Sequence, residues 1–393
     1  MFIWDIKNDY FGCTYTRSMT ADSQRFTPLD VFRGMTVCFM IIVNSPGNGA
    51  TTFAPLLHAK WNGFTPTDLV FPSFLFAVGN AMSFVMPRWN SLTQSQAVWK
   101  ILKRVFIIFL LGYLMYWFPF MKRDVAGNII SFPFETTRVF GVLQRIALCY
   151  GMAAFMIYFL KPKTAVILSV VFLLGYWLLL YLFGNAADPL SMQGNAGFYL
   201  DKWLLGENHL YHGEGVAFDP EGLLSTFPAV GNVVAGYVAG KFIQRKGNSY
   251  EGLTVLLLYG AGLLFLAWCW NFYFPANKKL WTSSFVLLTV GLDCIILGAL
   301  IYFINFKNKT KGAWFFEVFG RNPLFIYLLS ELGVTLLSFF RAGEKMSWHQ
   351  WLYKNIFRHA GDYTGSFLFA VSIMLLCWLV GWVLDKRKIY IRV

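Results

Sequence analysis

The sequence predicts an all-α fold, a polytopic membrane helix bundle with about ten transmembrane helices, and three observations carry that prediction. Hydrophobic residues make up 57% of the 393 and charged ones only 13%, with a mean hydropathy of +0.52. This leaves too little polar surface to cover a soluble globule of that length. Apolar runs of about 20 residues recur from end to end, long enough to cross roughly 30 Å of hydrocarbon as helices, where the backbone finds no other partner outside a closed barrel. Lysine and arginine, finally, concentrate in alternate connecting segments, the asymmetry that orients membrane spans.

Taken in order, residues 1–27 form an N-terminal segment holding Asp5, Lys7, Asp9 and Arg17 but no long apolar core. No cleaved signal peptide is expected there, and the first apolar run starts insertion. The runs are 28–45, 66–87, 99–118, 138–160, 163–183, 222–243, 252–274, 280–304, 314–339 and 366–384, which together define one transmembrane domain over 28–384. Residues 385–393, with Lys386, Arg387, Lys388 and Arg392, are a basic tail. Lys7, Arg17, Arg25, Arg33, Arg88, Lys100, Lys103, Arg104, Lys161, Lys163, Lys241, Arg245, Lys246, Lys307, Lys309, Lys311 and the tail all fall on one side of that alternation. Both termini are then cytoplasmic in a multi-pass protein of a bacterial-type inner (plasma) membrane, surrounded by lipid. The net charge of +13 mostly reflects this bias. Because the basic residues are spread over short loops, nucleic acid is not an expected partner.

Most connections are short, so consecutive helices are antiparallel neighbours. Two outward segments, 184–221 and 340–365, are longer, polar and aromatic. They read either as a vestibule for a sugar-like ligand or as ordinary ordered loops. The six cysteines, at 13, 38, 149, 269, 294 and 377, show no CxxC spacing, and five of them lie in apolar runs. They point to neither a disulfide framework nor a metal site. His209 and His212 have HxxH spacing but no third ligand at a defined distance, which favours a solvated loop. Gly236 and Gly240 form a GxxxG, which marks either a homodimer seam or packing inside the bundle. Trp61, Trp117 and Trp281, near span ends, read as membrane-interface anchors.

His58 stands in HAKWNGFTPTDLVFP (58–72), the outward connection between the first two runs. Imidazole, with an unperturbed pKa of about 6.5, can take or give a proton near neutrality. An interfacial histidine is the plain reading, and a general base is the chemical one. Thr65, Pro66 and Asp68 read as the N-terminus of the second helix, so capping accounts for Asp68 as readily as orientation of His58 does. Asn44 ends the first run, and Trp61 and Asn62 lie between His58 and the cap. Within the spans, Arg145, Asp293, Glu317, Arg321 and Glu331 are costly at such depth. Arg145–Asp293 and Arg321–Glu317 pairs satisfy them, or else they line a polar channel.

The run RFTPLDVFRGMTVCFMIIVNSPG, followed by HAKWNGFTPTDLVFPSFLFAVG, resembles the signature of the heparan-α-glucosaminide N-acetyltransferase family of transmembrane acyltransferases. GVLQRIALCY (141–150), DPEGLLSTFPAV (219–230), PANKKLWTSSFVLLTVGLD (275–293) and GRNPLFIYLLSE (320–331) are similar to later family segments in the same order. The resemblance implies transfer of an acetyl group from cytosolic acetyl-CoA, as co-substrate, to the amine of a terminal glucosamine across the membrane. It implies that His58 is the active-site histidine, and it matches Asn44 and Arg145 to the family's VN asparagine and LQR arginine. VNSPGNGA stands where animal members have a glycine-rich VN segment, and their large N-terminal luminal region is not expected in this bacterial-type chain. The acceptor is therefore read as an amino sugar and not fixed as heparan sulfate.

Acetyl transfer asks for a base at the amine, for which His58 serves either directly or as a transient acyl carrier. Asn44, Asn62 or backbone N–H groups would meet the oxyanion, with Asp68 orienting the base. Trp61, Asn62 and Arg145 are candidate substrate contacts, while Arg33 and Arg321, with Lys103 and Arg104, are candidate partners of the CoA phosphates. The competing readings are an amino-sugar or oligosaccharide permease and an O-acetyltransferase of an envelope glycan.

Overall fold

The computed structural model describes residues 26–124, 127–246, 248–343 and 346–391. The N-terminal segment with Lys7, Cys13, Arg17 and Arg25, the pair Glu344–Lys345, and Arg392 in the tail lie outside the described residues. Thirteen α-helices and one short hairpin account for most of what is described: α1 (Thr27–Asn44), α2 (Pro66–Val85), α3 (Gln94–Trp117), the strands β1 (Met121–Arg123) and β2 (Ile129–Ser131), α4 (Val142–Phe159), α5 (Pro162–Phe183), α6 (Ala196–Leu205), α7 (Leu223–Lys246), α8 (Tyr250–Asn271), α9 (Ser283–Ile301), α10 (Ala313–Arg321), α11 (Pro323–Phe339), α12 (Trp348–Leu352) and α13 (Asp362–Lys386). Among the described residues eight helices are long and apolar enough to cross a membrane, and nine spans result if α10 and α11 count as one. The third expected span is the 24-residue α3, which stands outside that set and carries Lys100, Lys103 and Arg104 in its first half.

The ninth apolar run is not one straight helix. The axes of α10 and α11 meet at 84°. Pro323 has no N–H to continue the ladder and disfavours helical geometry at the residue before it, and Asn322 accordingly sits at φ −131°, ψ 50°. The buried Asn322 amide fills the break by donating to the Ile389 carbonyl at 3.1 Å and accepting from the Ile391 N–H at 2.8 Å, which ties the tail to the bend.

The core is built from α1, α2, α4, α7 and α9, with Val37, Leu75, Phe76, Ala147, Val233, Phe285 and Leu297 fully buried. The strongly apolar α5, α8 and α13 are the least buried and turn Val171, Leu178, Leu258, Phe265 and Leu376 outward. Lipid is as apolar as a leucine side chain, so a peripheral span can be apolar on every face, whereas helices that meet other helices carry small and polar residues.

Gly236 and Gly240 are used inside the bundle. A methyl group at Gly236 would meet the Phe76 carbonyl, and one at Gly240 would meet Asn80 and Ser83 of α2. Gly79 reciprocates against the Val233 carbonyl. The GxxxG is thus the α2–α7 seam, which leaves the homodimer reading without this motif. Gly236→Val is expected to prevent this approach, since overpacking a tight seam costs about 1–3 kcal/mol or more. Size-exclusion of detergent-solubilised protein should show loss of the monodisperse peak; a wild-type profile and melting temperature would refute the seam.

Both long segments are packed. The 184–221 segment contains α6, capped by the Asn195 side chain on the Phe198 N–H at 2.8 Å, and 340–365 contains α12, which packs on α11 and sets His349 against the Phe369 ring.

Candidate active site

The connection between α1 and α2 closes on the first turn of α2. Thr65 is the N-cap, with Pro66 at the first helical position. Asp68, fully buried, divides its two oxygens. Oδ2 accepts from the Thr65 N–H at 2.9 Å, the Thr65 hydroxyl at 3.0 Å and the Ala59 N–H at 3.2 Å. Oδ1 lies 2.7 Å from His58 Nδ1. A carboxylate can only accept, so Nδ1 carries the ring proton and Nε2 carries the lone pair. The Asp68 side chain has no exposure whereas that of His58 is 42% exposed, so the orienting group is sealed off and the imidazole is part exposed. Capping and orientation, alternatives in the sequence, are two ends of one carboxylate.

Opposite this loop runs the connection between α8 and α9, and it is pinned to the His58 loop. The Gly63 N–H donates to the Ala276 carbonyl at 2.8 Å, and Asn277 Nδ2 donates to Asn62 Oδ1 at 3.1 Å. Asn277 Oδ1 accepts from the Leu280 N–H at 2.9 Å, and the Asn277 N–H donates to Thr282 Oγ1 at 3.0 Å. This places Lys278 Nζ 3.0 Å from His58 Nε2 and 3.2 Å from Nδ1. Burial draws the Lys278 ammonium below the ordinary lysine range, against the pull of Glu221 and Asp68. Beside it, Lys279 donates to Glu214 at 2.5 Å and to the Lys60 carbonyl at 2.9 Å.

Trp61 turns away from His58. Its indole N–H donates to the Leu190 carbonyl at 3.1 Å and its ring meets Phe218 edge to face, so it fastens the 184–221 segment to the loop. Arg145, fully buried in the first turn of α4, donates to the Gly222 carbonyl at 3.0 Å and to Ser225, and its guanidinium lies 4.9 Å from the Trp281 ring centre. The expected Arg145–Asp293 pair does not form. Asp293 faces α2 and accepts from Ser73, whereas Arg145 sits where α4 meets the start of α7. Nor is Trp281 an interface anchor: it is fully buried, at φ 54°, between Phe71, Phe285 and Arg145.

Three charged residues that sequence reasoning did not single out for the site complete this end. Arg138 grips Asp219 bidentately at 2.7 and 2.9 Å and Glu221 at 2.5 Å, between the rings of Tyr116 and Tyr211. Burial alone would raise Glu221, but the Arg138 and Arg145 guanidiniums outweigh it and hold this carboxyl below the usual range. For Lys278, the signal available in the sequence was the Lys278–Lys279 pair in the set of connecting segments where basic residues are otherwise sparse.

Asn44 lies apart from the His58 hydrogen bonds and donates to Glu331 Oε1 of α11 at 2.9 Å. Tyr116 and Tyr327 stand within electrostatic reach of Glu331 and also of Glu221 and Arg138, so polar groups continue from the His58 end into the bundle. At the opposite end Arg33 pairs with Asp30, and Arg321 pairs with Glu317 at 2.7 Å and Asp385 at 2.5 Å, which realises the expected Arg321–Glu317 pair. His209 and His212 spend their Nδ1 atoms on the Thr137 and Leu210 carbonyls, at 2.7 and 2.9 Å.

The start of α7 carries a titratable tie. Asp201 of α6 accepts from the Leu223 N–H at 2.9 Å, and burial pushes its carboxyl up to about 7. The folded chain then holds a proton that the unfolded chain has released, so this contribution to stability is greatest below about pH 4 and is lost as pH rises towards 7. Asp201→Asn keeps the acceptor and removes the titration. Its melting temperature in detergent should exceed wild type at pH 8, with the gain shrinking towards pH 4; a gain independent of pH would refute the assignment.

Fold and site together define a multi-pass membrane helix bundle with a carboxylate-oriented, part-exposed histidine at one end. The chain belongs to the heparan-alpha-glucosaminide N-acetyltransferase family, whose catalytic-region model matches residues 25–256. It is 26% identical to the human heparan-alpha-glucosaminide N-acetyltransferase over 96% of its own length, and 26% identical to the mouse protein of that name over 95%. The alignments span 61% of each of those relatives, so the chain covers about three fifths of the length of the curated proteins it matches.

Proposed function

We propose that this protein is a transmembrane acetyltransferase that moves acetyl from cytosolic acetyl-CoA to the amine of a glucosamine-type sugar on the outer side of the membrane. The observation that carries the proposal is the 2.7 Å contact of His58 Nδ1 with the sealed Asp68 carboxylate, which leaves the lone pair on Nε2 of a part-exposed imidazole. The names of the relatives support the reaction class, and the bias of Lys and Arg supports the sidedness.

Only the free-base form of an amine attacks a thioester. With the amine hydrogen-bonded to Nε2, its nitrogen bonds to the carbonyl carbon while its proton passes to His58 and the carbonyl electrons move to oxygen. Asp68 stabilises the resulting imidazolium. Collapse of the intermediate expels CoA as a thiolate, which takes up the proton from His58. The pantetheine arm approaches along the polar groups around Asn44, Glu331, Tyr116 and Tyr327. Arg33 and Arg321 are the cations proposed for the CoA phosphates, in competition with Asp30, Glu317 and Asp385. Both termini are then cytoplasmic in a bacterial-type plasma membrane.

The test is thiol release from acetyl-CoA by purified protein in detergent, with and without glucosamine. Amine-dependent release is expected. Folded protein that releases no thiol with any amino sugar would overturn the proposal in favour of a permease or a hydroxyl acceptor.

A further inference from the structure

Lys278 lies 220 residues from His58 in sequence, yet its ammonium is at the imidazole. The two ring nitrogens are closer to each other than either is to Nζ, and Nζ is nearly equidistant from them, at 3.0 and 3.2 Å. Such a point lies over the Nδ1–Cε1–Nε2 edge of the ring and off the in-plane lone-pair axis of Nε2. Lys278 therefore does not occupy the axis along which an acceptor amine must donate, and its cation stands beside that axis.

We propose that Lys278 is a catalytic residue of this site, whose ammonium binds the thioester carbonyl oxygen as that oxygen becomes an anion. The inference rests on the acetyltransferase reading above. An amine nitrogen within about 3 Å of Nε2 brings the carbon it attacks, and hence the carbonyl oxygen, within a few ångströms of Nζ. The charge that develops on that oxygen is what a preformed donor stabilises best. Lys278 is preformed: Asn277, Gly63 and the buried Trp281 hold its backbone on both sides.

Around Lys278, Glu221 ahead of α7 and Asp68 of α2 attract its charge, while Arg145 of α4 and the neighbouring Lys279 repel it. Glu214 engages Lys279, and Arg138 and Arg145 engage Glu221, so neither acid neutralises Lys278 outright. In the reaction the ammonium keeps its protons. The amine N–C bond forms, the carbonyl electrons rest on oxygen against Nζ and then return as the C–S bond breaks, and the amine proton goes to Nε2.

The test is steady-state thiol release by full-length Lys278→Met and Lys278→Arg, with CoA binding and melting temperature measured in parallel. Lys278→Met should lose about 10²–10³-fold in kcat, as loss of one oxyanion donor does, with KM for acetyl-CoA nearly unchanged. Lys278→Arg should recover at least about a tenth of wild-type kcat, because the cation is kept. Should the Met variant fail to fold, Lys278→Gln serves in its place. A neutral variant within about fivefold of wild type, or an equal loss in the neutral and Arg variants, overturns the role of Lys278. Absence of amine-dependent release by wild type overturns the underlying reading instead.

Discussion

His58→Ala is expected to lower amine-dependent thiol release by about 10³-fold, within the range a positioned general base contributes, while CoA binding and the melting temperature stay near wild type. The imidazole is half exposed, and its partners are otherwise held: the other oxygen of Asp68 keeps three donors, and the Lys278 backbone is fixed by its own loop, so little of the fold depends on His58. His58→Asn sharpens the experiment. Its side-chain amide can still donate to Asp68 Oδ1 but has no basic nitrogen where Nε2 stood. Both variants should be equally inactive. Release within tenfold of wild type from either folded variant would remove His58 from the chemistry and leave it a structural link between two loops.

Asp68→Asn has the second-largest expected effect, about 10²–10⁴-fold in kcat/KM. The range is the penalty attached to a wrongly oriented or wrongly protonated catalytic histidine. An amide can donate to Nδ1 where the carboxylate could only accept, which moves the ring proton to Nε2 and removes the lone pair there. It also withdraws the negative charge that stabilises imidazolium. Because Asp68 caps α2 as well, a loss of activity alone would be ambiguous, and Thr65→Ala separates the two roles. That variant removes the hydroxyl that donates to Oδ2 at 3.0 Å, at a cost of about 1 kcal/mol in stability, and leaves the 2.7 Å contact with His58 in place. Thermal melts and activity measured side by side should show Thr65→Ala slightly destabilised but active and Asp68→Asn folded but inactive. Equal activity losses would reduce Asp68 to a cap.

The cap was readable because Thr65, Pro66 and Asp68 interact over three residues, and His58 was readable because it lies close ahead of that cap. The bend at Asn322–Pro323 had its proline in plain view within the 314–339 run, but local hydropathy ran straight through it. Trp281 looked like an anchor by its place at a span end and is instead the floor under Arg145. Lys278 offered only the oddity of a basic residue in the set of connecting segments that is poor in them.

By itself, then, the sequence determined the all-α class, the positions of most of the spans and the start of α2, because hydropathy over 20 residues and cap chemistry over three are local properties. Tertiary structure decided which charged and polar groups meet. It put Arg145 on Gly222 and Ser225 instead of Asp293, Asn44 on Glu331, Arg138 on Asp219 and Glu221, and Lys278 on His58. Each of those partnerships is set by how helices cross and rotate against one another, as at the Gly79–Gly236 seam, and residue spacing along the chain carries no record of that rotation.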